Sequence, residues 1–233
     1  MDRLTDVEEL LDGPLDDPTH LAANLRDLRR LNRLTGGGSL SVRAVRALRV
    51  ADAGVTTLLD VGCGACDIPV LLLADARRHG EALEVTATDS RPEVLAAARA
   101  VRPGLDRVAG LKIAVADGLA LPYPDGSFDI AHTSLVVHHL GPGDAAVLLR
   151  ELLRVARSGI VVNDLDRSWT TWLGAWLLTR TVARSPYTQH DGPLSVRRAY
   201  TRDEMTDLIR EAGATPIASI VGFARHRYAI AAR

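Results

Sequence analysis

The chain has 233 residues, with 28 Lys and Arg against 29 Asp and Glu and a formal net charge of −1. This length suits one domain with attachments and a core that needs no disulfide or structural metal, and the charge balance gives no general reason to expect nucleic acid as a partner. Cys63 and Cys66 are the only cysteines, which excludes a disulfide scaffold and a four-cysteine zinc site. No apolar run approaches the length of a membrane span, and the N-terminus is acidic where a signal peptide would be basic. We therefore expect a cytoplasmic protein without membrane insertion.

The first 50 residues are predicted to form a helical extension without a core of its own. Residues 1–17 carry seven carboxylates against one Arg, whereas residues 20–50 carry seven Arg against one Asp. Leucines recur three or four apart from Leu21 to Leu34, which predicts an amphipathic helix. Gly36–Gly38 interrupts it, and residues 41–50 can form a second helix. We expect the first helix to pack against a later insertion.

From Thr57 onward, short apolar runs alternate with helical stretches. Such runs favour a parallel sheet covered by helices on both faces. The predicted strands are 57–61, 84–88, 111–115, 128–133 and 159–162, followed by an antiparallel pair at the sheet edge over 215–221 and 225–231. Residues 164–200 are too long for an ordinary connection, and we interpret them as an insertion.

A glycine-rich turn follows the first predicted strand. Gly62 and Gly64 permit a sharp turn and close approach of a ligand, at the strand end where open α/β sheets bind ligands. A dinucleotide-binding turn would have its third glycine at Asp67, whose carboxylate would repel a pyrophosphate at the helix N-terminus. NAD and FAD are therefore disfavoured, whereas Asp60 can help to orient an ammonium group. A tight turn without a ligand is the structural alternative.

This D-x-G-x-G turn and the acids after later strands resemble the class I S-adenosylmethionine (SAM)-dependent methyltransferases, including the ubiquinone/menaquinone-methyltransferase-like group. The resemblance covers residues 58 to about 162 and the closing strand pair. It implies a Rossmann-like, seven-stranded, mostly parallel sheet with an antiparallel edge strand and helices on both faces. Residues 1–50 would be the helical extension and 51–233 the methyltransferase domain, with a helical lid at 164–200. It also implies an EC 2.1.1.- enzyme that converts SAM to S-adenosylhomocysteine.

The resemblance also assigns cofactor contacts. Asp89 ends the second strand, where the family places the acid that accepts hydrogen bonds from both ribose hydroxyls. Asp117-Gly118 follows the third strand, where proteins of the family contact the adenine. The full set of expected cofactor-binding residues is Asp60, Gly62, Gly64, Asp89, Ser90, Asp117, Gly118 and Thr133. Cys66 stands where the family usually has Gly or another small residue, and we interpret Cys63 and Cys66 as packing residues, not as a redox pair.

Two histidines follow the fourth strand, beside the expected SAM pocket. Methyl transfer mainly requires alignment and exclusion of water, but a phenol with a pKa of about 10 gains from a base. We predict His139 as the base, with His138 second and His190 a weaker candidate. The alternative is that one histidine only caps a helix. No metal site is expected, because adjacent side chains diverge and no acid cluster adjoins them in sequence.

The insertion carries all three tryptophans, Trp169, Trp172 and Trp176, on one predicted helical face. They are interpreted either as core packing or as substrate-contacting residues of a lid, with a polar, turn-rich segment at 189–198 closing over the acceptor. Asn163–Arg167 and this segment resemble bacterial methyltransferases of aromatic polyketides and phenolic lipids.

That subfamily resemblance implies O-methylation of a phenolic or polyketide-type small molecule in secondary metabolism, specifically in natural product biosynthesis. The partner is then an aromatic small-molecule acceptor, with no nucleic acid involved. Two alternatives stay open. One is C-methylation of a quinone precursor, and the other is a non-catalytic SAM-binding partner subunit.

Overall fold

The computed structural model describes residues 1–5, 7–15, 17–49 and 54–233, and a seven-stranded sheet forms its centre. The strands are β1 (Thr56–Val61), β2 (Leu83–Asp89), β3 (Leu111–Val115), β4 (Phe128–Ser134), β5 (Ala156–Leu165), β6 (Pro216–Val221) and β7 (Arg227–Ala232). Their order is β3-β2-β1-β4-β5-β7-β6, in which β7 runs antiparallel to both of its neighbours and the other pairs are parallel. The predicted α/β fold with its antiparallel pair at one edge is confirmed.

Eight α-helices surround the sheet within the described ranges. They are α1 (Pro18–Thr35), α2 (Gly37–Leu48), α3 (Asp67–Arg78), α4 (Pro92–Val101), α5 (Pro142–Val155), α6 (Trp169–Val182), α7 (Pro186–Arg198) and α8 (Arg202–Glu211). The predicted break is Gly36 alone, which adopts φ 72°, and α2 begins at Gly37 instead of residue 41. Val50, where the second helix and the extension were expected to end, lies outside the described residues. None of these helices combines the length and the apolar character that crossing a bilayer requires.

The two faces of the sheet bury separate hydrophobic clusters. Leu58 of β1 packs with Leu21 of α1 and Leu48 of α2 on one face, whereas its neighbour Leu59 packs with Leu149 of α5 on the other. Alternate residues of a strand point to opposite faces, so β1 contributes side chains to both clusters. The N-terminal helices thus share the core of the sheet.

The insertion between β5 and α8 folds into the helix pair α6 and α7, which packs against α1. The Asp27 carboxylate accepts hydrogen bonds of 2.7 Å from the main-chain N–H groups of Arg184 and Ser185, which confirms the predicted contact between the first helix and the insertion. The expectation of a turn-rich segment at 189–198 is wrong, because these residues lie in α7. Gly192 serves close helix packing: a Cβ there would lie 2.5 Å from Thr179 Cγ2 of α6.

Candidate active site

The loop between β1 and α3 forms a tight turn at the carboxyl edge of the sheet. Gly62 adopts φ +74°, and a side chain there would collide with Val136 Cγ2 at 2.2 Å. Gly64 adopts φ +48°, and a Cβ on it would meet nothing within 4 Å. The loop therefore presents its backbone to open space, as close approach of a ligand requires.

Asp89, at the end of β2, faces this loop. Its two carboxylate oxygens accept hydrogen bonds from the main-chain N–H groups of Gly64 and Arg91, both at 3.1 Å. Burial raises the pKa of Asp89, although these two hydrogen bonds act in the opposite direction. Each oxygen keeps a free lone pair, so the carboxylate can still accept ligand hydroxyls. The neighbouring Ser90 is exposed.

Asp117 and Gly118 lie at the end of β3, next to Asp89. The N–H of Ala116 donates to the Asp89 carbonyl at 3.1 Å, and the exposed Asp117 accepts from the N–H of Leu119 at 2.9 Å. A Cβ on Gly118 would approach side chains of the core to 2.9 Å. The structure thus brings the predicted acids of β2 and β3 to one edge.

Asp60 is buried near the end of β1 and is hydrogen-bonded to the His132 side chain. Its Oδ1 forms a hydrogen bond with Nδ1 of His132, whose Nε2 lies 2.8 Å from Ser41 Oγ of α2. Burial raises the pKa of Asp60, against the opposing effect of His132. Thr133 is fully buried, and its hydroxyl donates to the Val61 carbonyl at 3.0 Å, so it ties β4 to β1.

The two cysteines also lie in this loop. Cys63 and Cys66 are buried free thiols whose sulfur atoms are 3.4 Å apart. Both belong to the hydrophobic cluster beneath α3. The burial of both thiols agrees with the interpretation of this pair as packing residues.

Arg227, at the start of β7, brings a buried positive charge to the same edge. Its guanidinium donates to neutral oxygens of Asn163 at 2.6 Å, Asn32 at 2.7 Å and Ser134 at 2.6 Å. The Asn32 amide in turn donates to Asp67 at 3.0 Å. Burial lowers the pKa of Arg227 to about 10, so the group stays charged and is available to an anionic part of a ligand.

The histidine pair follows β4 in a single 3-10 turn, Val137–His139. The two rings lie side by side, with centroids 4.2 Å apart, so the expectation that adjacent side chains diverge is wrong here. His138 Nδ1 lies 2.7 Å from Asp164 Oδ1, at the end of β5. Burial alone would raise the pKa of Asp164, but His138 and the hydrogen bonds to the Asp164 carboxylate lower that pKa below its usual range. An ionised Asp164 therefore orients His138.

Glu9, from the N-terminal segment, completes the cluster. Its Oε1 lies 3.9 Å from His138 Nε2, and its Oε2 lies 3.9 Å from His139 Nε2 and accepts from the Ser195 hydroxyl at 2.9 Å. Oε1 is buried without a hydrogen-bond partner in the described part of the chain. Burial raises the pKa of Glu9 to about 7. His139 Nδ1 lies 2.7 Å from Asp12 Oδ1.

The ligand atoms of Glu9, His138 and His139 lie within 4.8 Å of one another, which is close enough to hold a metal ion. However, the Arg198 guanidinium lies 3.6 Å from Glu9 and pairs with Asp12. A cation bound here would be repelled by this neighbour.

A cavity of about 800 Å³ opens beside this cluster. Its walls come from the N-terminal segment, α1, the turn after β4, α6, α7 and the connection before β7, and most of its surface is apolar. The ionisable side chains in the lining are Glu9, His138, His139, Asp191, His226 and Arg227. A concave, mainly apolar site with a few converging polar groups is typical of small-molecule binding.

The tryptophans and His190 lie outside this cavity lining. Trp169 is 64% exposed and Trp176 37% exposed, while α6 lines the cavity with residues such as Thr171 and Leu178. Core packing is therefore wrong for Trp169 and Trp176, whereas Trp172 is half-buried, and contact of the stripe with the acceptor stays a prediction. The spacing of the three tryptophans predicts that they share one face of a helix, but it does not predict whether that face contacts the core, the acceptor or solvent. His190 is half exposed and lies 2.8 Å from Asp191.

Comparisons with known proteins agree with this architecture. A family model described as a methyltransferase domain matches residues 59–162. The 2-methyl-6-phytyl-1,4-hydroquinone methyltransferase of Synechocystis is 38% identical over 114 residues, which cover 48% of this chain and 33% of that protein. The demethylmenaquinone methyltransferase of Roseiflexus castenholzii is 31% identical over 169 residues, which cover 66% of each. A SAM-dependent methyltransferase structure from Aquifex aeolicus superimposes with a TM-score of 0.64 at 19% identity, over 93% of this chain and 97% of that one.

The chain belongs to the class I SAM-dependent methyltransferases. Its cofactor is SAM, which supplies a methyl group on a positively charged sulfonium. The site fits this group, since the Gly64 backbone faces open space beside a carboxylate that can accept hydroxyls. The site fits a pyrophosphate poorly, because Asp67 is the first residue of α3 and puts a negative charge at its N-terminus.

Several residues around the site of this methyltransferase were not foreseen from the sequence. Glu9 and Asp12 come from the N-terminal segment, and His132 and Arg227 come from strands that read as apolar runs. A signal existed for the last two, because a charged or ionisable residue inside a buried strand needs a partner. Nothing local in the sequence connects Glu9 with His138.

Proposed function

We propose that this methyltransferase transfers the methyl group of SAM to a hydroxyl oxygen of an aromatic small molecule. The observation that carries the proposal is the mainly apolar cavity of about 800 Å³. Its lining includes His138 and His139, which follow β4, and Glu9 of the N-terminal segment. A flat, apolar acceptor fills such a space, and its hydroxyl meets the ionisable groups.

For the cofactor, we propose the edge formed by β1, β2 and β3. Asp89 would accept the ribose hydroxyls, while Asp117 and Gly118 would contact the adenine beside Ser90. The Gly62–Gly64 backbone would face the amino-acid part, whose ammonium group Asp60 would orient. Thr133 would act by holding β4 against β1, since its hydroxyl is bonded to Val61.

His138 is the stronger candidate for the base. Its Nδ1–H donates to Asp164, which leaves the Nε2 lone pair free to take the acceptor's proton. His139, preferred from the sequence, also has an aspartate beside Nδ1, but this contact lacks hydrogen-bond geometry and Asp12 is paired with Arg198, so we assign His139 to positioning. His190 lies outside the cavity lining, and we give it no role in the reaction.

The test is an assay with methyl-labelled SAM and a panel of phenols, resorcinols and hydroquinones, with the product position determined by NMR. We expect a new O-methyl signal with at least one acceptor that has an alkyl chain or a fused ring. Label found only on ring carbon would overturn O-methylation in favour of C-methylation of a quinone-type acceptor, the class of compound that the names of two relatives contain. SAM binding without any product would support the non-catalytic alternative.

A further inference from the structure

The outer face of α6 is apolar and exposed. Trp169, Leu173 and Leu177 expose 64%, 57% and 57% of their surface, and Trp176 exposes 37%. The opposite side of the same helix lines the cavity. The exposed side of this helix thus carries four large apolar side chains beside the polar Thr170 and Arg180. An exposed apolar patch of this kind marks an interaction surface.

The mouth of the cavity opens on the same side. Leu34 of α1, Leu177 of α6 and Phe223 in the turn before β7 all line the cavity, and they are 59%, 57% and 90% exposed. Residues that line a cavity and face solvent at once form its rim. By the same criterion Thr170 and Thr181 of α6 belong to the rim as well. The rim is therefore mainly apolar, carries no charged residue within the described ranges and adjoins the outer face of α6.

The charged residues of the segment that contains α6 have one sign. Residues 168–190 contain two arginines, Arg180 and Arg184, and neither Asp nor Glu. The Arg180 guanidinium lies 5.0 Å from the centre of the Trp176 ring. Arg33 and Arg225, beside the rim residues Leu34 and Phe223, are also exposed. Tryptophan and arginine around an apolar patch form the pattern of a surface that lies in the headgroup region of a bilayer.

We propose that the outer face of α6, with Leu34 and Phe223, docks the protein peripherally on an anionic lipid bilayer. The apolar side chains would enter the acyl boundary while the arginines meet anionic headgroups. A second copy of the chain fits this surface less well, because it would cover the mouth of the cavity and offers no array of anions to the arginines. On a bilayer, the mouth of the cavity would instead face the acyl region, from which an apolar acceptor can enter. This route for the acceptor rests on the proposed function, whereas the docking itself does not.

The experiment uses intrinsic fluorescence, which reports on this helix because all three tryptophans lie in α6. The full chain is titrated with vesicles of phosphatidylcholine and phosphatidylserine, with and without brominated acyl chains, and with vesicles of phosphatidylcholine alone. We expect a blue shift and quenching by the brominated lipid on anionic vesicles, and at least several-fold weaker binding without phosphatidylserine or in high salt. Leu173→Ser should weaken binding about tenfold. The control Ile217→Ser removes a 44% exposed side chain from β6 and should leave binding unchanged.

The proposal fails if brominated vesicles leave the fluorescence unchanged, or if Leu173→Ser and Ile217→Ser bind vesicles equally. It also fails if ultracentrifugation without lipid shows a dimer that Leu173→Ser dissociates, since a second copy then covers the face. Methylation of a water-soluble phenol without vesicles tests the proposed function separately. Leu173→Ser should leave that rate unchanged, because Leu173 lies outside the cavity lining.

Discussion

His138 Nδ1 lies 2.7 Å from Asp164 Oδ1, and the main-chain N–H of the same histidine donates to the other carboxylate oxygen at 3.2 Å. One buried carboxylate therefore fixes both the ring and the backbone of the turn after β4. The hydrogen bond also fixes the tautomer, because the proton on Nδ1 leaves Nε2 as the acceptor. A side chain held in this way keeps its lone pair at one place in the cavity.

Removal of this imidazole should slow the chemical step. General-base assistance contributes typically a factor of about 10² to 10⁴, so His138→Ala should lower kcat at least about tenfold while SAM affinity stays within about threefold. Asp164→Asn should also lower kcat, since an amide can present a donor to Nδ1 and favour the wrong tautomer. Steady-state kinetics and calorimetry measure the two quantities.

The matched control is His139→Ala, which should lower kcat less than His138→Ala. The loss in His138→Ala should shrink with more acidic phenols, because an ionised acceptor needs no base. Normal kcat in both single variants and in the double variant would show that alignment alone drives the reaction.

Asp89 should dominate the affinity for SAM. Asp89→Ala removes the acceptor proposed for the ribose hydroxyls, and hydrogen bonds to a charged group contribute about 1.5–3 kcal/mol. Calorimetry should therefore show roughly a tenfold to hundredfold loss in SAM affinity. Asp117→Ala, at an exposed position of the same edge, should cost less. If the two variants bind SAM equally well and keep their circular dichroism, Asp89 is not the ribose ligand.

The parts of the fold that depend on local pattern could be predicted from the sequence. Strands β1, β4 and β5 read as apolar runs because both of their faces are buried, Gly62 directly follows β1, and Asp89 ends β2. The cluster at the cavity could not be predicted in this way, since Glu9 and His138 are 129 residues apart and meet only after α1 and α7 pack. The helix α7 was missed for a related reason, because Gly192 and Pro193 read as turn residues although Gly192 allows close packing on α6.

Glu9 should make stability depend on pH. Its pKa is raised from 4.5 to about 7 by burial, and the groups that face it are His138, His139, Ser195, Asp191 and Arg198. Between these pH values the folded state holds a proton that the unfolded state has lost, so stability falls as pH rises and levels off above about 7. The loss attributable to Glu9 is about 3 kcal/mol, at about 1.4 kcal/mol per pH unit.

Urea unfolding at several pH values between 4.5 and 8 measures this slope. Glu9→Gln has no carboxyl group at this position. Between pH 4.5 and 8, the free energy of unfolding of this variant should therefore fall by about 3 kcal/mol less than that of the natural chain. Glu8→Gln is the control, because Glu8 is exposed and should leave the slope unchanged. Equal slopes in all three proteins would show that Glu9 titrates normally.

Cys66 should tolerate glycine better, relative to alanine, than Cys63 does. Cys66 precedes α3 with φ 54° and ψ 24°, and its side chain is fully buried, whereas Cys63 is not among the residues with positive φ. A Cβ in the left-handed conformation costs about 1–2 kcal/mol, a cost that glycine avoids. Glycine also loses more entropy on folding, about 0.4–1 kcal/mol, and lacks the buried Cβ of alanine, but these two losses apply at both positions.

Urea unfolding of the glycine and alanine variants at each position therefore isolates the left-handed conformation. The free energy of unfolding of the glycine variant, minus that of the alanine variant, should be higher at Cys66 than at Cys63 by about 1–2 kcal/mol. An equal difference at the two positions would mean that the left-handed turn carries no strain at Cys66.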